Sequence, residues 1–141
     1  MDAITLKRHK IISYTAIAWN FLGLLAFIMQ QLMTDEMIKS LPQAEQSLYT
    51  NLPAWYTVAY GLAVIAGFLG SIFLLLRKKI SVSLYLLSLI GVLAQTFYTF
   101  FMSNTFAVYG YSSAILPLFV VILAIFLYAY SKRLLQEGYL K

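Results

Sequence analysis

The residues able to do chemistry inside this chain are uncharged. Asn20, Gln95, Thr96 and Thr99 place amide and hydroxyl groups within apolar runs, and Trp19 and Tyr60 add rings that each carry one polar atom. Amide donors and acceptors beside aromatic rings suit a neutral polar molecule such as a sugar. Its hydroxyls pair with the amides, and its apolar face lies on a ring. By depth along their apolar runs, Trp19, Asn20, Tyr60, Gln95 and Thr99 can converge on one cavity, and these five form the candidate ligand site. Gln30 and Gln31 lie nearer the surface on the same side. The competing reading is that each polar group bonds a neighbouring helix, since such contacts are common in membrane bundles and average about 0.6 kcal/mol. For Asn20 and Gln95 the pocket reading is the stronger, because their amides sit deepest.

Catalysis has no comparable support. His9 is the single histidine and lies in a basic segment, so the sequence reads it as solvated or facing lipid headgroups. One histidine cannot supply the several ligands of a usual metal site. No cysteine is present, which excludes disulfides and thiolate ligands. Asp35, Glu36 and Glu45 fall in one polar loop and read as solvated loop charges rather than as an acid–base pair. No catalytic residue, metal site or cofactor is expected, and neither is enzymatic activity.

The elements that must position the polar residues are membrane helices. Hydrophobic residues make up 62% of the chain and charged residues 11%, against about 25% charged in a soluble domain. Four apolar runs stand out: about Ile11–Met33, Ala54–Leu76, Ile80–Met102 and Ala114–Tyr130. About 20 helical residues cross the hydrocarbon core. None of the runs contains Asp, Glu, Lys, Arg or His. Proton-coupled carriers usually hold such a residue inside the membrane, so a neutral-solute facilitator fits better than a proton-driven cycle. The expected fold is an all-α membrane protein, a four-transmembrane-helix bundle forming one domain over residues 1–141.

Charge placement sets the expected orientation. Lys7, Arg8 and Lys10 precede the first run, Arg77, Lys78 and Lys79 fill the second turn, and Lys132, Arg133 and Lys141 follow the fourth run. These nine of the ten basic residues fall on one side of a four-pass chain. The positive-inside rule then puts both termini in the cytoplasm. The net charge of +5 therefore belongs to a membrane flank, and no nucleic-acid partner is expected.

The first external loop reads as holding a short amphipathic helix, about Ser40–Thr50. Ser40 and Gln43 have the spacing of a capping box, Pro42 suits a first turn, and Leu41, Ala44 and Leu48 share a face. Thr34 or Asp35 can cap an earlier turn, and Ser112 and Ser113 can cap the fourth helix. The second run carries Ala59, Ala63, Gly67 and Ser71 at four-residue spacing, with Ala66 and Gly70 beside them. Small residues at this spacing let backbones approach, either within the bundle or across a homo-oligomer. Gly23 and Ala26, and Gly91 and Ala94, offer matching surfaces.

Five stretches stand together: Met33-Thr34-Asp35-Glu36-Met37, Leu41-Pro42-Gln43-Ala44-Glu45-Gln46, Pro53-Ala54-Trp55, Leu74-Leu75-Leu76-Arg77-Lys78-Lys79 and Ser88-Leu89-Ile90-Gly91-Val92. Together they resemble a family of short bacterial four-pass inner-membrane proteins often automatically labelled "sugar transporter". The resemblance implies a multi-pass protein of the bacterial inner membrane with a transport role. Two functions follow as expectations: binding or facilitated transport of a neutral polar solute, with dimerisation implied by the small size, or a non-catalytic accessory or scaffold subunit of a larger membrane complex.

Overall fold

The computed structural model describes all residues, Met1–Lys141, and contains helices and turns only. In chain order the helices are α1 (Ala3–Gln31), α2 (Asp35–Lys39), α3 (Gln43–Gln46), α4 (Ala54–Leu75), α5 (Ile80–Phe101), α6 (Thr105–Tyr109) and α7 (Ile115–Gln136), with a 3₁₀ turn at Tyr111–Ala114 before α7. Four of them, α1, α4, α5 and α7, are long and apolar enough to cross a membrane. At 1.5 Å per residue, a 22-residue helix such as α4 or α5 spans about 33 Å, close to the ~30 Å hydrocarbon core.

Helix α1 begins well before the apolar run. Asp2 caps it, its carboxylate accepting from the Thr5 amide at 2.7 Å, and that bond holds the Asp2 carboxyl below its ordinary value. The polar segment Thr5–Lys10 is thus helical, and His9 is carried on a helix face rather than a loose tail. Helix α7 likewise runs past Tyr130 to Gln136. It stops in a Schellman turn, with Gly138 at φ 77° and the Tyr139 amide donating to Leu134 O at 2.9 Å. Helix α4 stops the same way, but with Arg77 at φ 58° and the Lys78 amide donating to Phe73 O at 2.8 Å. A non-glycine residue in this region costs about 1–2 kcal/mol. Arg77 is held there from outside: its Nε donates to Tyr139 O at 3.1 Å, and Lys141 exchanges backbone bonds with Arg77 and Lys79. The last residues therefore close over the turn between α4 and α5.

The loop between α1 and α4 differs from the expected single helix over 40–50. Thr34 caps α2 through a bond from the Met37 amide at 3.3 Å. Ser40 ends that helix, donating its hydroxyl to Met37 O at 2.6 Å, so it is not free to start the next one. The amphipathic helix is correspondingly short, Gln43–Gln46, entered through Pro42 without a side-chain cap. Gln46 folds back to donate to Leu41 O at 2.9 Å. At the other loop, Ser113 donates to Gly110 O at 2.6 Å, and α7 has no side-chain cap.

Packing follows side-chain size. Helix α4 is central, with α1 on one side and α5 on the other, and α5 in turn carries α7. On α4, Ala59, Gly61, Ala63, Val64, Ala66, Gly67, Gly70 and Ser71 are buried. Gly91 of α5 sits directly on the α4 backbone: a Cβ there would lie 2.6 Å from Ala59 O and 2.8 Å from Ala63 N. Gly23 of α1 meets Val64 Cγ1, where a Cβ would approach to 3.3 Å. Helices α1 and α7 lack such an approach and meet through rings, Trp19 edge-on to Phe119 at 5.5 Å and His9 stacked on Tyr130 at 6.4 Å. The four helices form an arc closed by a seam of large side chains.

Candidate functional site

Inside that arc lies a cavity of about 290 Å³, walled by residues of all four long helices. Its floor is a hydrogen-bonded knot. Asn20 donates through Nδ2 to Ala16 O at 2.9 Å and to Ser71 Oγ at 3.2 Å. Tyr85 donates to the same Ser71 oxygen at 2.9 Å, and Ser71 donates onward to Gly67 O at 2.8 Å. The knot ties α1, α4 and α5 at one level. Gly67 makes it fit, because a Cβ there would collide with Asn20 Oδ1 and lie 3.0 Å from Ser88 Oγ. Ser88 donates to Ala63 O at 2.6 Å, a second tie between α4 and α5.

The structure brings Trp19, Asn20, Tyr60, Gln95 and Thr99 to the wall of this one cavity, and Thr96 with them. Their hydrogen bonding divides the two readings residue by residue. The Asn20 nitrogen joins helices, while its Oδ1 receives no bond from the chain. Thr99 donates to Gln95 O at 3.1 Å, a bond within its own helix that leaves its oxygen able to accept. The Gln95 side chain reaches toward the Tyr56 hydroxyl, as does Gln30. Tyr60 is set by its rings, edge-on to Phe27 at 5.0 Å and tilted against Tyr56 at 6.2 Å, and its hydroxyl bonds nothing in the chain. The cavity thus carries uncharged donors and acceptors on an otherwise apolar wall. No Asp, Glu, Lys, Arg or His lines it.

Three contributors escape the sequence reading. Ser71, Tyr85 and Ser88 are buried and build the floor. A signal for two of them exists on α5, where Ser81, Tyr85, Ser88, Gln95 and Thr99 recur at steps of 4, 3, 7 and 4 and so share one face. The α7 wall, including Pro117, Val120, Leu123 and Ala124, carries no polar mark and is found only by packing.

His9 corrects the expectation of a solvated or headgroup-facing side chain. It is 1% exposed, with Nδ1 3.4 Å from the Tyr130 hydroxyl and Nε2 buried without a hydrogen-bond partner in the chain. The cause is the extended α1: residues 9, 13, 16 and 20 share one helix face, and all four point inward. Ser13, Ser81 and Ser131 are buried with it at the end of the bundle that carries the termini.

No three His, Asp or Glu side chains come close enough to hold a metal ion. No protein family, curated protein or solved structure matches the chain.

Proposed function

We propose that this protein is a multi-pass protein of the bacterial inner membrane, with both termini cytoplasmic, that binds a small uncharged molecule in the intrabundle cavity and facilitates its movement. The observation that carries this reading is the convergence of Asn20, Tyr60, Gln95, Thr96 and Thr99 on one charge-free cavity. Unpaired donors and acceptors inside a membrane are costly unless they are satisfied, and a hydroxyl- or amide-bearing ligand satisfies them. The cavity volume lies near the lower end of ligand pockets, about 300–1,000 Å³. It therefore suits a molecule or headgroup of about monosaccharide size. No His, Cys, Lys, Arg, Asp or Glu stands on the wall to activate its hydroxyl groups, which favours a binding over an enzymatic role.

The test is a thermal-denaturation screen of the protein in lipid nanodiscs against uncharged sugars, polyols and amides. A true ligand at one hundred times its Kd stabilises the folded state by about 2.7 kcal/mol. A saturable rise in Tm that disappears in Gln95→Leu supports the proposal, and the same solute is then expected to equilibrate faster across proteoliposomes than across empty liposomes. No rise with any solute, or a rise that Gln95→Leu leaves intact, contradicts it. The expected orientation is checked with single-cysteine variants, which a cysteine-free chain makes simple. Ser47→Cys should label from the periplasm and Gln136→Cys only after the membrane is permeabilised.

A further inference from the structure

The direction from which the cavity is reached follows from what covers its other sides. Toward the terminal end it is closed by the Asn20–Ser71–Tyr85 knot. Toward the loops, Tyr60 of the wall is backed by a cluster of rings from α1, α4 and α5: Phe27 edge-on to Tyr60, Tyr60 tilted against Tyr56, and Tyr56 tilted against Tyr98 at 4.5 Å. No residue of α2, α3 or α6 lines it. The side left is the seam between α1 and α7. There Leu22 and Leu116 belong to the cavity wall and are also 62% and 63% exposed on the outer surface of the bundle. The wall is graded in the same direction. Most of its hydrogen-bonding side chains, Tyr85, Ser88, Gln95, Thr96 and Thr99, stand on α5, with Tyr60 on α4 and Trp19 and Asn20 on α1, and the seam itself is lined by Leu22, Ala26, Leu116 and Val120.

A polar interior behind an apolar mouth on a lipid-facing surface is the shape of a site for a molecule that already resides in the bilayer. Resting on the binding function proposed above, we propose that the ligand is a single-chain amphiphile with an uncharged hydroxyl-bearing head. It enters sideways between α1 and α7, with the head against α5 and the hydrocarbon chain lying in the seam. Trp19 and Phe119, edge to face at 5.5 Å, are the only ring pair across the seam at cavity depth and act as its latch.

Trp19 also supplies the probe. The chain has two tryptophans, so Trp55→Phe leaves Trp19 as the sole reporter. The protein, in phosphatidylcholine nanodiscs, is titrated with 1-monoacylglycerol brominated on its acyl chain. The expected result is saturable quenching that unbrominated monoolein reverses and free glycerol or glucose does not. Gln95→Leu should weaken the quenching about tenfold, as loss of one to two hydrogen bonds implies. Ala26→Trp is unsuitable here because it adds a second reporter, so Ala26→Phe serves as a second variant that fills the mouth, and it should abolish the saturable phase. Quenching that is unsaturable and equal to that from brominated phosphatidylcholine overturns the proposal. Competition by glucose or glycerol but not by monoolein overturns lateral entry and leaves the cavity as a binding site for an aqueous solute. If neither class competes and neither variant has an effect, the binding function falls as well.

Discussion

The two flanks of the bundle are built from opposite materials. Helices α4 and α5 meet through glycine, alanine and serine, with Gly91 on the α4 backbone and Ser88 bonded to Ala63 O. Helices α1 and α7 meet through Trp19, Phe119, His9 and Tyr130, and their backbones stay apart. Without water there is little hydrophobic drive between membrane helices, so close backbone contact and hydrogen bonds provide most of the cohesion. The α4–α5 flank has both. The α1–α7 flank has ring contacts, worth about 0.5–1.5 kcal/mol each beyond burial, and a single long hydrogen bond between Tyr130 and His9 at 3.4 Å. One side of the molecule is therefore a fixed spine, and the other is a seam that opens at low cost.

Substitutions separate the two flanks by size of effect. Gly91→Val should be the most damaging, because even its Cβ meets Ala59 O and Ala63 N, and backbone cannot step aside as a side chain can. We expect a loss of about 3 kcal/mol or more, the upper range for overpacking, read as a fall in Tm in nanodiscs. Gly67→Ala comes next. Its added Cβ takes the place of Asn20 Oδ1, so the Asn20 tie to Ser71 must break, at an expected cost of about 1–3 kcal/mol. Tyr85→Phe removes one buried hydroxyl bond to Ser71 while keeping the ring, and should cost about 1 kcal/mol. Phe119→Ala, on the seam, should cost a similarly small amount, about 0.5–1.5 kcal/mol, while, unlike Tyr85→Phe, speeding hydrogen exchange of amides at the apolar mouth. A Phe119→Ala variant as unstable as Gly91→Val would show that the flanks do not differ as described.

How much of this was legible in the sequence depends on which force decides each feature. The four long helices and their bundle are carried by hydropathy, which needs no partner to be read. Helix ends were less legible. Ser40 has the sequence of a helix start, but it ends α2 instead, its hydroxyl donating to Met37 O of the preceding turn. Helix α1 reaches back to Ala3 because Asp2 caps it, a signal hidden by the polar residues between the cap and the apolar run. His9 was misplaced for the same reason: in a frayed tail it would be wet, but on a continuous helix its angle is fixed by Asn20 eleven residues on.

The candidate site was legible where depth alone brings residues together, as with Tyr60, Gln95 and Thr99. Its floor was not, since Ser71 and Tyr85 become a unit only when α4 and α5 adopt one register. Nor was the mouth, because the spacing between α1 and α7 is set by rings whose partners sequence cannot assign. The small-residue repeat on α4 is used within the bundle, with Gly23 of α1 and Gly91 of α5 packed against its two sides.

A high-resolution density map of the protein in lipid nanodiscs tests the central claim most directly, that the charge-free cavity is a binding site. The account predicts non-protein density within the cavity, in hydrogen-bonding distance of Gln95 and Asn20 Oδ1. A bundle in which α7 has closed onto α1 and α5, filling the space with its own side chains and pairing the Gln95 side chain and Asn20 Oδ1 within the protein, would contradict it and make these residues interhelical ties only.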